Sequence, residues 1–218
     1  MAGLPLVEVM SIGAIMSRCR GWCDLRKGVD LASLIANNDI MISVEIGVYN
    51  GQSLLPQAYA HKAKNLGGKA YGIDPWSASE ALQDDAIHMA PHWNKWAEQD
   101  VNFQALYEST SGLISEFGLQ NHCEIIRSKS ENALDSFEDD SIGLLHIDGN
   151  HDYPKVKKDF DLYYKKVRPG GFIWFDDLYW PGPKRATDEM LATPNLLMSA
   201  EEKYSGIDLN LLVRKRLG

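Results

Sequence analysis

Two apolar runs that end in acid, with one amphipathic helix between them, constrain this chain more than any other feature. Leu144-Leu145-His146-Ile147-Asp148-Gly149 and Phe172-Ile173-Trp174-Phe175-Asp176-Asp177 each read as a buried β-strand closed by a carboxylate. Between them Val156, Phe160, Tyr163, Tyr164 and Val167 fall at i, i+4, i+7, i+8 and i+11, one face of an α-helix. Pro154 suits the first helical turn, and Pro169-Gly170-Gly171 stop the helix and return the chain to a strand. Strand, helix and strand of these lengths make a right-handed βαβ unit with parallel strands. Both strands then end at one edge of the sheet, where open α/β sheets bind ligands. Asp148, Asp176 and Asp177 gather there. Carboxylates so close repel one another unless a cation sits among them, and a hard, oxygen-seeking ion such as Mg²⁺ is the natural resident. The alternative is that Asp176 and Asp177 cap a turn while Asp148 stands alone in a loop.

The upstream half supplies a second set of signals. Met41 to Ile46 is a β-branched first strand that runs into Gly47-Val48-Tyr49-Asn50-Gly51-Gln52-Ser53, followed by a helix from Leu54 to Lys64. A tight glycine turn of this kind lets backbone approach a ligand and aims helix N–H groups at it. Lys69 to Asp74 is a second strand, and its terminal acid, about 20 residues past the turn, is placed to accept the hydroxyls of a ribose. A turn or cap role is the alternative, although Pro75 and Trp76 follow rather than a regular helix start. Residues 77–112 form a long connection carrying Trp93, Trp96, Phe103 and Tyr107, readable either as packing on the sheet or as a lid or dimer contact. A helix from Leu113 to Phe117 follows. Cys123 to Arg127, Ile142 to Ile147 and Phe172 to Phe175 are the third to fifth strands. Ser128 to Glu131 lead from the third strand into a short helix that runs through Phe137. A helix over Lys184 to Leu191 precedes a final antiparallel pair, Leu196 to Ser199 and Asp208 to Arg214. Residues 4–37 read as helices broken between Gly21 and Gly28, with no motif.

At 218 residues the simplest organisation is one α/β domain, with N-terminal helices over 1–40 and a core over 41–214. The net charge of −8 argues against nucleic acid, which needs a basic patch. Lys155, Lys157, Lys158, Lys165, Lys166 and Arg168 read as the solvated face of a helix, interrupted by Asp159 and Asp161, with Asp161 able to pair Lys165. No apolar run is long enough to span a bilayer, the first cation is Arg18, and residue 2 is Ala, so neither an anchor, a signal peptide nor a myristoyl group is expected. Cys19, Cys23 and Cys123 suit reduced thiols in a cytoplasm. Cys19 and Cys23 suit one helix face, but no second pair completes a zinc site, and Pro91 spoils His88 and His92 as a helical ligand pair.

Taken together, the glycine turn, the acid after the second strand and the acids after the fourth and fifth resemble the class I S-adenosylmethionine-dependent methyltransferases. Glu45-Ile46-Gly47-x-x-x-Gly51-x-Ser53 is similar to the turn of metal-dependent O-methyltransferases. Ile147-Asp148-Gly149-Asn150-His151 and Arg168-Pro169-Gly170-Gly171 with Phe175-Asp176-Asp177 resemble the macrocin- and mycinamicin-type sugar O-methyltransferases. Tyr49 and Asn50 stand where many methyltransferases carry smaller residues, and Asn150 where close relatives often have Asp or Ser. The resemblance implies a Rossmann-like α/β fold, with a mainly parallel seven-stranded sheet, an antiparallel last strand and helices on both faces. It implies that Glu45, Gly47, Gly51 and Ser53 line the methionine part of the cofactor, Asp74 holds its ribose and Ser130 its adenine, with Asp148 beside it. It further implies Asp148, Asp176 and Asp177 as ligands of Mg²⁺ or another divalent cation that binds the acceptor oxygen. His151 or Asp148 would then be the base, an imidazole being suited to take a hydroxyl proton near neutrality. The partner implied is a small hydroxylated acceptor such as a sugar or natural product, in a homo-oligomer; Trp76, Trp93, Trp96, Tyr179 and Trp180 read equally as an aromatic pocket for a flat or sugar-like substrate or as core. Two other classes fit parts of the pattern. An NAD-type oxidoreductase lacks its G-x-G-x-x-G here and leaves Asp176-Asp177 unexplained; a non-catalytic cofactor-binding or assembly module would not need His151 among acids.

Overall fold

The computed structural model describes residues 4–85, 89–193, 196–205 and 208–217. Two helices, α1 (Leu6–Met16) and α2 (Leu25–Asn37), precede β1 (Ile42–Ile46) and α3 (Leu54–Lys64). Next come β2 (Lys69–Asp74), α4 (Ala78–Ala81), α5 (Ala90–Gln99), α6 (Phe103–Glu116) and β3 (Cys123–Arg127). Then α7 (Ser130–Ala133) with a 3-10 turn over Leu134–Ser136, β4 (Ile142–Ile147), α8 (Tyr153–Tyr163) and β5 (Val167–Phe175). Finally α9 (Pro181–Ala192) leads to β6 (Leu197–Ser205) and β7 (Asp208–Lys215). The seven strands lie in the order β3-β2-β1-β4-β5-β7-β6, with β7 antiparallel to both its neighbours and β1 to β5 parallel. This is the Rossmann-like methyltransferase sheet expected from the sequence. The chain reverses direction across it between β1 and β4, and a cavity opens at their carboxyl ends, as such a switch point requires.

Alternation along each strand feeds two layers. Leu145, Ile147, Ile173 and Phe175 meet Val156, Phe160 and Tyr163 of α8 and Met190 of α9 on one face. Leu144 and Trp174 meet Leu31, Leu34 and Ile35 of α2 on the other, and α3 and α6 complete that face through Leu54, Leu55, Leu106 and Leu113. Residues 103–116 are thus a core helix, so the expected helix at Leu113 starts ten residues earlier. Four other details differ from the sequence reading. Val167 begins β5, where it pairs with Ile142, instead of closing α8; Gly170 at φ 73 helps absorb the shift in register. α2 starts at Leu25, so Gly28 lies inside a helix against Met16 and the break is confined to residues 17–24. Cys19 and Cys23 lie in that break, free and buried, and share no helix face. Asp161 pairs with Lys157 rather than Lys165. His92 is exposed at the start of α5, and His88 lies outside the described residues. No described helix is long and apolar enough to cross a membrane.

One polar seam runs beneath the carboxyl edge. β1 and β4 pair with Glu45 beside His146, so both side chains project from the same face. Both are fully buried. Glu45 accepts from Ser53 Oγ at 2.9 Å and Gln57 Nε2 at 2.7 Å, and it lies 2.9 Å from His146 Nδ1. Burial pushes the Glu45 carboxyl up to about 8, against its hydrogen bonds to Ser53 and Gln57 and the charge of Lys27. Burial likewise pushes His146 down to about 3. At neutral pH the pair therefore holds its proton on Glu45, which donates it to the imidazole, and His146 Nε2 faces Asp176 at 3.2 Å.

Two expected outcomes follow from this scaffold. Gly47 sits at φ 88, and a Cβ there would overlap the Asp148 carbonyl oxygen; Gly47→Ala is expected to cost at least ~2 kcal/mol in a urea unfolding titration. Glu45 has a raised folded pKa, so its contribution is complete below its unfolded value and fades as pH climbs toward about 8. His146 has a lowered one, so its contribution is complete above its unfolded value and fades as pH falls toward about 3. A melting-temperature profile should therefore decline from pH 6.5 to 8.5, and Glu45→Gln should flatten that alkaline limb.

Candidate active site

The turn after β1 is closed by Gly51 N–H donating to Val48 O at 2.8 Å and is held in place by its neighbours. Asp74 Oδ2 accepts from the N–H groups of Val48 and Tyr49 at 2.9 and 3.0 Å, and Oδ1 accepts from Trp76 N–H at 2.6 Å. Burial raises the Asp74 pKa, opposed by those three backbone donors. Asn50 and Gln52 turn outward and catch the loop between α1 and α2: Asn50 Oδ1 accepts from Arg20 N–H at 2.9 Å, and Gln52 Oε1 from Cys23 N–H at 3.2 Å. The unusual bulk in the turn thus ties the N-terminal helices to it. Tyr49, at φ 52, carries its ring toward Trp22 and Trp96.

A cavity of about 640 Å³ lies over this edge. Gly47, Ser53, Asp74, Ser130, Asp148, His151 and Asp177 line it. Glu45, Gly51 and Asp176, the other residues expected at the site, stand behind its wall. Glu45 belongs to the buried seam; Gly51, at φ 77, packs the turn against Leu55 and Thr110; Asp176 is 4% exposed beneath the floor. At the far end Ser130 Oγ donates to Asp159, whose carboxyl is pushed up to about 6 by burial.

The three carboxylates do not converge as one set. Among the described residues Asp148 clusters with His146 and Asp176 on one side, and with His151 and Asp177 on the other. Between Asp148 and Asp176 sits the ammonium of Lys27, in contact with Asp176 and 3.5 Å from Asp148 Oδ2. Lys27 is 3% exposed. Asp24 caps α2 by accepting from Lys27 N–H at 2.8 Å, which fixes where the side chain starts. Burial lowers the Lys27 pKa less than the charges of Asp148, Cys23, Asp177 and Glu45 raise it, so the amine stays protonated. Burial raises Asp148 despite Lys27 and His146. Burial also pushes Asp177 up, but its hydrogen bond to His151 and the charge of Lys27 outweigh this and leave it below the usual range.

His151 hangs between two partners. Its Nε2 lies 2.9 Å from Asp177 Oδ2, and its Nδ1 lies 3.0 Å from Gln83 Nε2. With Gln83 donating to Nδ1, the ring is neutral and Nε2–H donates to Asp177. Gln83 Oε1 is buried without a hydrogen-bond partner. Trp180 lies against the imidazole at 4.5 Å between ring centroids, and Trp93 at 5.8 Å. Trp93, Trp96, Trp22 and Tyr49 continue that aromatic wall at spacings of 4.8 to 6.0 Å. Trp76 is instead a core residue, its Nε1–H donating to Tyr49 O at 2.8 Å, and Tyr179 points outward at 60% exposure.

Four site residues were not anticipated from the sequence: Lys27, Gln83, Asp159 and Trp22. Two carried a readable signal. Lys27 heads the spacing Lys27, Leu31, Leu34, Ile35, and so falls on the buried stripe of α2. Asp159 shares the buried face of α8 with Val156, Phe160 and Tyr163, rather than the solvated face assigned to it above. Gln83 and Trp22 lie in irregular segments where no periodicity exists.

Comparison with known proteins agrees with this geometry. The family described as methyltransferase domain matches residues 44–178. An uncharacterised protein of Acanthamoeba polyphaga mimivirus is 31% identical over 148 residues, 68% of this chain and 56% of that one. An uncharacterised protein of Sinorhizobium fredii is 28% identical over 62% of this chain but 13% of its own length, so the chain spans about half or less of these relatives. A putative O-methyltransferase from Klebsiella pneumoniae superposes with a TM-score of 0.67 at 16% identity, covering 99% of this chain and 92% of its own. The O-methyltransferase TomG of Streptomyces achromogenes, involved in tomaymycin synthesis and solved with S-adenosylmethionine, gives 0.65 at 13% identity, covering 99% and 92%. These two likenesses establish the fold, and the family match goes further: the chain belongs to the methyltransferase domain family.

Proposed function

We propose that this chain is an S-adenosylmethionine-dependent O-methyltransferase acting on a hydroxyl of a small molecule such as a sugar or natural product. The observation that carries the reading is the shared cavity: Asp74 after β2 and Asp148, His151 and Asp177 after β4 and β5 open onto one space. That space is of ordinary size for a cofactor together with a small acceptor. The residues fit the cofactor. Asp74 keeps acceptor capacity for ribose hydroxyls beyond its three backbone bonds, the turn over Gly47 to Tyr49 admits close approach, and Ser130 with Asp159 offers polar groups for the adenine. When bound, S-adenosylmethionine supplies an electrophilic methyl and leaves as a neutral thioether.

The chain's own part is positioning and proton transfer. The wall of Trp22, Trp93, Trp96 and Trp180 holds an acceptor by its flat or C–H-rich face and keeps water from the reacting oxygen. His151 takes the hydroxyl proton at Nδ1, where the acceptor oxygen displaces the Gln83 amide. Asp177 stabilises the resulting imidazolium through Nε2–H, and a half-turn of the Gln83 amide presents the unpartnered Oε1 to the new Nδ1–H. Asp148 sets the negative floor beside them. Mg²⁺ held by Asp148, Asp176 and Asp177 has no part in this mechanism, because Asp176 is taken by Lys27 and the three carboxylates do not meet.

Calorimetric titration of S-adenosylhomocysteine tests the reading. Micromolar binding is expected, weakened about tenfold or more (about 1.4 kcal/mol) by Asp74→Ala. Absence of binding to the wild-type chain would sink it. His151→Ala should retain that affinity while lowering turnover of an identified acceptor by roughly 10²- to 10⁴-fold.

A further inference from the structure

Lys27 stands where the acid cluster calls for a cation. Its helix contributes no other charge to the cavity floor, and the stripe it heads is otherwise apolar: Leu31, Leu34 and Ile35 are each 1% exposed or less. Burying a lone ammonium costs several kcal/mol, so the position is tenable only because carboxylates receive it. Asp176 does so directly and Asp148 at 3.5 Å, while His146 Nε2 approaches the same Asp176 Oδ2 at 3.2 Å.

We propose that Lys27 is the resident cation of this cluster, a tethered ammonium that takes the place of a divalent metal, and that the site works without one. Three observations support this. The ammonium occupies the space between the two carboxylates that a metal would bridge. Asp176 is turned into the seam toward His146, and Asp177 is turned away toward His151, so three-carboxylate ligation is lost. The remaining set of Asp148, His151 and Asp177 shares Asp148 with Lys27, so an ion there would share its ligand with a positive charge 3.5 Å from Asp148 Oδ2. On this account Lys27 is a positioning residue. It holds Asp148 at the cavity floor and leaves Asp177 free for His151. Only the claim that the site works without a metal rests on the methyltransferase reading.

The test is Mn²⁺ binding to the full chain, read by electron paramagnetic resonance without cofactor or acceptor. Wild type is expected to bind no stoichiometric Mn²⁺. Lys27→Met, which frees two carboxylates, should bind one ion per chain at least tenfold more tightly than wild type, and Lys27→Arg should behave as wild type. Stoichiometric Mn²⁺ on wild type that Asp148→Asn abolishes would overturn the proposal, and needs no folded Lys27 variant. A folded Lys27→Met chain that binds no ion would overturn it too, since Lys27 would then not be what keeps the ion out. S-adenosylhomocysteine affinity of wild type should be unchanged by chelator. Failure of the methyltransferase reading would appear separately, as absent S-adenosylhomocysteine binding with the ion result intact.

Discussion

The structure depends on a line of buried polar groups that runs along one face of the sheet, across β1 and β4 to the end of β5. It starts at Ser53, just before α3, and Gln57 on α3, passes through Glu45 on β1 and His146 on β4, and ends at Asp176 and Lys27. Apart from Gln57 Oε1, which has no hydrogen-bond partner, each member is satisfied by the next, which is the condition under which polar groups are buried. Removing Lys27 would leave Asp176 without its countercharge in a low-dielectric interior, and breaking a buried ion pair in this way costs about 3–5 kcal/mol. The line also sets the site above it. Glu45 fixes the start of the glycine turn, and Asp176 anchors the acid pair after β5, leaving Asp177 to face the cavity.

Much of this was legible in the sequence because it is local. β2, β3, β4 and α3 fall where alternation and turn residues place them, and the acids after β2, β4 and β5 had to reach one edge once the strands were parallel. Gly47 was readable for the same reason, since a strand-to-helix turn brings its backbone against the end of the neighbouring strand. The division of labour among the acids was not readable. Asp176 and Asp177 are consecutive, yet a left-handed Asp177 at φ 56 sends them to opposite sides of the floor. No periodicity predicts that.

The largest surprise came from α1 and α2, which carry no motif. Their contribution depends on contacts across more than a hundred positions, which no window of sequence contains. Tyr49 and Asn50 show the same limit. As residues in a turn they looked like departures, but their side chains act outside it, one in the aromatic wall and one as a tether for the preceding loop. Bulk that seemed to crowd the turn instead fastens a second layer over it.

The pairing of Lys27 with Asp148 joins groups 121 residues apart, and the two strands that carry its partners come late in the chain. Until β4 and β5 are in place, α2 must either keep its ammonium in water or strand it in an apolar layer. The ion-pair part of its docking energy is therefore gained only when the centre of the sheet is complete. Loop closure over such a distance comes before its reward, a pattern that slows folding but makes it cooperative. The two helices that precede the sheet in sequence are thus among the last to lock, and they become part of the same all-or-none unit as the sheet they cover.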